Sequence, residues 1–81
     1  MLEYGDYLEK AIKYLGLSYG QVADAAGVTP ATISAWAHNK RLPTLKGYND
    51  ITLVLIRCGC PPCLIDGMER TYLESGRGFG L

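Results

Sequence analysis

Three cysteines and one histidine are the residues of this chain whose side chains could ligate a metal ion or act in redox chemistry. Cys58, Cys60 and Cys63 form a tight cluster, and His38 is the single histidine. Thiolates and an imidazole are the ligands of tetrahedral zinc sites, but the spacing C-x-C-x-x-C is not that of the common zinc modules. We interpret the cysteines as free thiols that pack as small hydrophobes, with a metal site and a redox switch as the alternatives.

Catalytic patterns are otherwise sparse. The chain contains one histidine, no pattern of paired carboxylates and no glycine-rich loop of the phosphate-binding type. We therefore expect no enzymatic activity and no cofactor. A single Gly-Arg-Gly stretch near the end resembles an RNA-binding repeat, but one copy is weak evidence, and we interpret residues 75–81 as a flexible tail.

Length and composition indicate one small domain, which we place at residues 1–74. Of the 81 residues, 48% are hydrophobic and 20% are charged, as is typical of globular chains. Eight basic and eight acidic residues give a formal charge of zero, which excludes a polybasic nucleic-acid binder but permits a local basic patch. The chain has no apolar run of membrane-spanning length and no signal-peptide pattern, so we expect a cytoplasmic protein.

Apolar periodicity and capping residues predict five helices. Gly27 is expected to end the second helix in a left-handed conformation, Asn39 to end the third in the same way, and Trp36 to lie in the core. The predicted helices cover residues 4–15, 19–26 after Ser18, 30–38 after Thr29, 45 or 48 to 57 after Thr44, and 62–73.

A helix, a glycine turn and a second helix form a helix-turn-helix, and residues 15–45, LGLSYGQVADAAGVTPATISAWAHNKRLPTL, resemble the lambda-repressor and Cro-like family of that motif. The matching marks are Ser18, Val22-Ala23, Gly27-Val28-Thr29, Ile33-Ser34, Trp36, Asn39-Lys40-Arg41 and Pro43. The resemblance implies an all-α, compact five-helix bundle. It also implies binding to double-stranded operator DNA, usually as a homodimer, with residues 30–38 as the recognition helix in the major groove.

The resemblance also implies which residues contact DNA. Its base-contacting positions fall on Thr29, Pro30, Ala31, Ser34 and Ala35, and its backbone-contacting positions fall on Tyr19, His38, Asn39, Lys40 and Arg41. The small apolar residues on that face offer no bidentate partner to guanine or adenine, so thymine methyl contacts and DNA shape must contribute more. With about three phosphates neutralised per monomer, a dimer would lose affinity with salt at a log-log slope of roughly −5.

The fourth predicted helix is apolar on nearly all sides at residues 51–56, which indicates burial on more than one side. We expect a dimer interface made by Ile51, Leu55, Leu64, Ile65, Met68 and Tyr72. The resulting prediction is a transcriptional regulator of phage or prokaryotic type, a repressor, with no membrane or small-molecule partner. The alternative is a protein-interaction module of the same fold, an antitoxin-like or anti-repressor partner without sequence readout.

Overall fold

The computed structural model describes residues 2–75, and every regular element in that range is a helix. The elements are α1 (Tyr4–Tyr14), α2 (Tyr19–Ala26), α3 (Pro30–Ala37), α4 (Leu45–Arg57) and α5 (Pro62–Glu74). The predicted all-α, five-helix bundle is confirmed, with helix ends within one residue of those expected. None of these helices has the length and apolar character needed to cross a bilayer. Apart from Ser75, the predicted tail lies outside the described residues.

Helices α2, α3 and α4 each begin at the side-chain cap that the sequence predicted. The Ser18 hydroxyl accepts the Gln21 amide at 3.1 Å, and the Gln21 side chain accepts the Ser18 amide at 2.8 Å, a reciprocal capping box. Thr29 and Thr44 cap α3 and α4, each accepting the amide three residues ahead at 3.2 Å. These bonds satisfy amides that the first helical turn leaves without a partner.

The core lies where α1 packs on α3 and α5 and where α2 packs on α3 and α4. Trp36 is 7% exposed, which confirms its predicted place in the core. The largest buried side chains are contributed by all five helices: Tyr4, Leu8, Ile12, Val22, Ile33, Trp36, Ile51, Leu55, Met68 and Tyr72.

A cluster of three tyrosines, one each from α1, α4 and α5, packs these three helices together. The rings of Tyr48 and Tyr72 stack with centroids 4.2 Å apart, and the Tyr4 ring is tilted against Tyr72 at 5.7 Å. The Tyr72 hydroxyl donates to the Pro43 carbonyl at 2.9 Å. Burial raises the pKa of Tyr4, so the Tyr4 hydroxyl stays neutral. Through these contacts α5 fixes the connection between α3 and α4.

This packing corrects the predicted dimer interface. Four of its residues, Ile51, Leu55, Met68 and Tyr72, are at most 1% exposed, and a side chain buried inside one copy has no surface to offer another. The prediction is therefore wrong for these four. Leu64 and Ile65 are partly buried against the same core. The apolar side chains that α4 turns outward are Leu45 in its first turn, 55% exposed, and Leu53 and Ile56 further along, each 51% exposed.

Helices α1 and α3 approach so closely that the contact requires a glycine. A Cβ atom at Gly5 would press against the Trp36 carbonyl oxygen and lie 2.8 Å from the carbonyl oxygen of Ala37. Gly67 faces the ring of Tyr7 in the same way, which explains a glycine within the apolar stripe of α5.

We expect Gly5→Ala to lower the free energy of unfolding by about 2–3 kcal/mol, because the atoms that the new methyl group meets are backbone carbonyls of α3, which can move only if the helix itself shifts. Denaturation with urea measures this. The matched control is Gly20→Ala in α2, where the nearest atom to the new methyl group is Ser18 Oγ at 3.8 Å. That variant should equal the wild type or gain up to about 1 kcal/mol in helix propensity. Equal losses in both variants would contradict a close approach at Gly5.

Candidate nucleic-acid interface

The turn between α2 and α3 has the conformation predicted at Gly27. Gly27 is left-handed, with φ 75°, and the amide of the next residue, Val28, donates back to the Ala23 carbonyl at 2.9 Å. This bond closes the end of α2. Thr29 then caps α3 directly, so the two helices are separated by only three residues.

Helix α3 buries one face and leaves the other uncovered. Ile33, Trp36 and Ala37 face the core. Of the predicted base-contacting residues, Thr29, Pro30 and Ala31 are exposed, and Ser34 and Ala35 are partly buried. Residues 31, 34 and 35 share one helical face because their spacings are three and four.

The hydroxyl groups along α3 already have partners within the protein. Thr29 Oγ1 lies 2.9 Å from Thr32 Oγ1 and also accepts the Thr32 amide. Ser34 Oγ lies 3.3 Å from His38 Nδ1. These contacts fix the hydroxyl oxygens, but a hydroxyl both accepts and donates. The exposed face of α3 therefore presents mainly methyl groups, together with short hydroxyl donors and no long polar side chain.

Tyr19, at the start of α2, lies beside His38, at the end of α3. Their ring centroids are 6.2 Å apart in an edge-on arrangement. His38 Nδ1 is 2.8 Å from the Ser34 carbonyl oxygen. Because a carbonyl only accepts hydrogen bonds, Nδ1 must carry a hydrogen. The other ring nitrogen, Nε2, then donates only when the imidazole is charged. Burial and the charge of Glu9 raise the pKa of Tyr19, so its hydroxyl remains a donor at neutral pH.

Lys40 and Arg41 follow α3 immediately, and their amides donate to the Ala35 carbonyl at 2.9 and 3.3 Å. Both side chains are exposed, and neither forms an ion pair within residues 2–75. In contrast, Lys46 Nζ is 2.7 Å from an Asp50 carboxylate oxygen. The basic pair therefore carries the unpaired positive charge next to α3.

The Asn39 side chain has a structural role that the sequence analysis missed. Asn39 adopts the predicted left-handed conformation, with φ 61°. Its Oδ1 accepts the Gly5 amide at 2.8 Å, and its Nδ2 donates to Asp6 at 3.4 Å. These bonds fasten the end of α3 to the first turn of α1, so the amide that was predicted to contact DNA backbone is engaged inside the protein. No sequence signal indicates this contact across 34 positions.

The three cysteines occupy different environments and are all free thiols. Cys60 is buried, as the interpretation as small hydrophobes requires, but Cys58 and Cys63 are exposed, and for these two the interpretation is wrong. Within residues 2–75 no three His, Cys, Asp or Glu side chains are gathered in a way that could hold a metal ion.

Comparison with known families supports this geometry. Residues 8–46 match the family described as helix-turn-helix, and this part of the chain is a helix-turn-helix of the lambda-repressor type, as the sequence predicted. The match supports a DNA-binding helix-turn-helix regulator in general terms. No curated protein matches the chain. No solved structure matches it either.

Replacing Asn39 tests its role at this interface. Asn39→Ala should lower the free energy of unfolding by about 2 kcal/mol, about half from the lost hydrogen bond and half from the left-handed backbone. Asn39→Gly relieves the backbone and should lose about half as much. Urea denaturation measures both. Wild-type stability in both variants, together with impaired DNA binding, would show that Asn39 contacts phosphate and does not stabilise the contact between α3 and α1.

Proposed function

We propose that this protein is a transcriptional repressor that places α3 in the major groove of a short operator. The observation that carries the proposal is the uncovered face of α3, followed at once by an unpaired basic pair, Lys40 and Arg41. In the helix-turn-helix geometry the second helix reads the groove while flanking groups hold the DNA backbone. This arrangement of helix face and charge matches both requirements.

Base recognition in this proposal depends mainly on shape and on methyl contacts. Ala31 and Ala35 present methyl groups that suit the methyl group of thymine, and Pro30 adds a further apolar surface. The hydroxyl oxygens of Thr29 and Ser34 have contacts within the protein, and a hydroxyl that accepts there can still donate to a base. Specificity then comes largely from the sequence-dependent deformability of the operator.

Backbone contacts in this proposal cluster around the end of α3. Lys40 and Arg41 are the principal phosphate ligands, with the Tyr19 hydroxyl and the His38 ring beside them. Because Lys46 is bound to Asp50, we expect about two neutralised phosphates per copy. A dimer then has a salt slope of roughly −4, shallower than the value expected from sequence.

Lys40→Ala and Arg41→Ala should each weaken binding to every DNA sequence, by roughly three- to tenfold at moderate salt, and make the salt slope of a dimer shallower by about two. Fluorescence anisotropy at several salt concentrations measures both quantities. Arg57→Ala is the charge-matched control, because Arg57 is exposed at the opposite end of α4. An equal loss in the Arg57 variant would contradict a phosphate site at residues 40 and 41.

Selection from a randomised duplex pool at two salt concentrations tests the function itself. Enrichment of a palindromic sequence supports an operator-binding repressor. Failure to retain any duplex at low salt would favour the alternative of a protein-interaction module with the same fold. The observation that favours this alternative is the face of α3, which lacks long polar side chains.

We further propose that two copies bind the operator through the outward face of α4. Leu53 and Ile56 are three residues apart, so they share a face, and both are half exposed. Paired exposed apolar side chains of this kind are typical of contact surfaces.

The double variant Leu53→Glu with Ile56→Glu should sediment as a monomer, keep its helical content and bind a palindromic operator at least tenfold more weakly. Tyr14→Glu is the control, because Tyr14 is 67% exposed on α1. Analytical ultracentrifugation measures the association. Wild-type association of the double variant would place the dimer contact elsewhere.

A further inference from the structure

The corner between α4 and α5 carries three thiols, Cys58, Cys60 and Cys63, that the proposed contact with DNA does not use. Cys60, Pro61, Pro62 and Cys63 form a C-x-x-C sequence across this corner. Helix α4 has 13 residues, so its length of about 20 Å separates the corner from the connection that follows Lys40 and Arg41. Chemistry at this corner is therefore independent of the proposed contact with DNA.

The backbone at the corner bends the chain between the two cysteines. The Cys60 amide donates to the Leu55 carbonyl at 3.0 Å, which holds Cys60 against the end of α4. Pro61 is extended, with φ −60° and ψ 141°, and α5 begins at the next residue. The Leu64 amide closes the first turn on the Pro61 carbonyl at 3.1 Å. Cys63 is thereby fixed in the first turn of α5, three residues after Cys60.

The two thiols differ in accessibility. Cys63 is exposed, while Cys60 is buried and its Sγ makes only a long contact of 3.7 Å with the Pro61 carbonyl. Burial raises the pKa of the Cys60 thiol, and the negative charge of a Cys63 thiolate adds to this effect. Within this pair, an oxidant in solution therefore reaches Cys63 first, and Cys60 is a shielded, protonated thiol.

We propose that Cys63 and Cys60 form a redox modification site for hydroperoxides, with Cys63 as the attacking thiol and Cys60 as the resolving thiol. In the first step the Cys63 sulfur attacks the peroxide, the O–O bond breaks, and Cys63 becomes a sulfenic acid while the remaining oxygen leaves as water or an alcohol. In the second step the Cys60 sulfur attacks the sulfenic sulfur. A disulfide forms, and the sulfenic oxygen leaves with the Cys60 proton as water.

The product joins residues only three positions apart. A bridge of this length links no two distant parts of the fold, and it leaves α3 and the basic pair in place. The modification is also reversible by dithiols. We therefore expect the oxidation to be local and reversible, and the protein to remain folded.

Hydrogen peroxide is the probe for the test, with intact mass and maleimide labelling as readouts. Cys58→Ser is the background, because it leaves Cys60 and Cys63 as the only thiols. We expect this variant to lose both labelled thiols and about 2 Da without any covalent link between copies, and dithiothreitol should restore them. Adding Cys63→Ser should slow oxidation at least tenfold. Adding Cys60→Ala should instead produce a sulfenic acid at Cys63 that dimedone traps.

Three results would overturn the proposal. The first is equally fast oxidation with and without Cys63. The second is a disulfide in the Cys58→Ser background that forms only between two chains. The third is a Cys60→Ala variant that remains folded by circular dichroism and gives no dimedone adduct. None of these measurements involves DNA, so failure here is distinguishable from failure of the proposed repressor function.

Discussion

The close contact between the start of α1 and the end of α3 is the constraint on which the proposed DNA-binding surface depends. Gly5 lets the carbonyls of α3 approach, and Asn39 then closes the contact by accepting the Gly5 amide at 2.8 Å. Because Asn39 is left-handed, the chain turns away from α3 at that point. The next two residues, Lys40 and Arg41, leave the bundle at a fixed place beside α3. The position of the basic pair is thus set by the contact between Asn39 and the first turn of α1.

The same constraint explains how a chain with no net charge can present the phosphate site that we propose at Lys40 and Arg41. Near the interface, Lys13 pairs with Glu9 and Lys46 pairs with Asp50, so these charges largely cancel locally. Lys40 and Arg41 have no such partner among residues 2–75. Local geometry, and not overall charge, concentrates positive potential next to α3. The expected consequence is weak long-range attraction to DNA and close-range binding that depends on correct docking.

Sequence was sufficient where the determining interaction is local. Ser18, Thr29 and Thr44 cap helices through amides three residues away, and Gly27 requires only its own backbone freedom, so these features were predictable. The hydrogen bonds of Tyr72 and Asn39 within the fold were not predicted, because their partners, Pro43 and Gly5, lie 29 and 34 positions away in the sequence. The dimer prediction failed for a related reason. Apolar periodicity identifies a helix that is buried on several sides, but it does not distinguish the face packed inside one chain from the face left outside.

The central claim is that DNA meets the protein at α3 and the residues that follow it. Titration of isotope-labelled protein with a mixture of short random-sequence duplexes at low salt, followed by NMR of the backbone amides, tests this claim most directly. The account predicts that the largest shift changes fall on residues 29–41 and Tyr19, with α5 little affected. Shift changes confined to α4 and α5, or no changes at protein and DNA concentrations of about 100 μM, where even non-specific DNA complexes form at low salt, would contradict it.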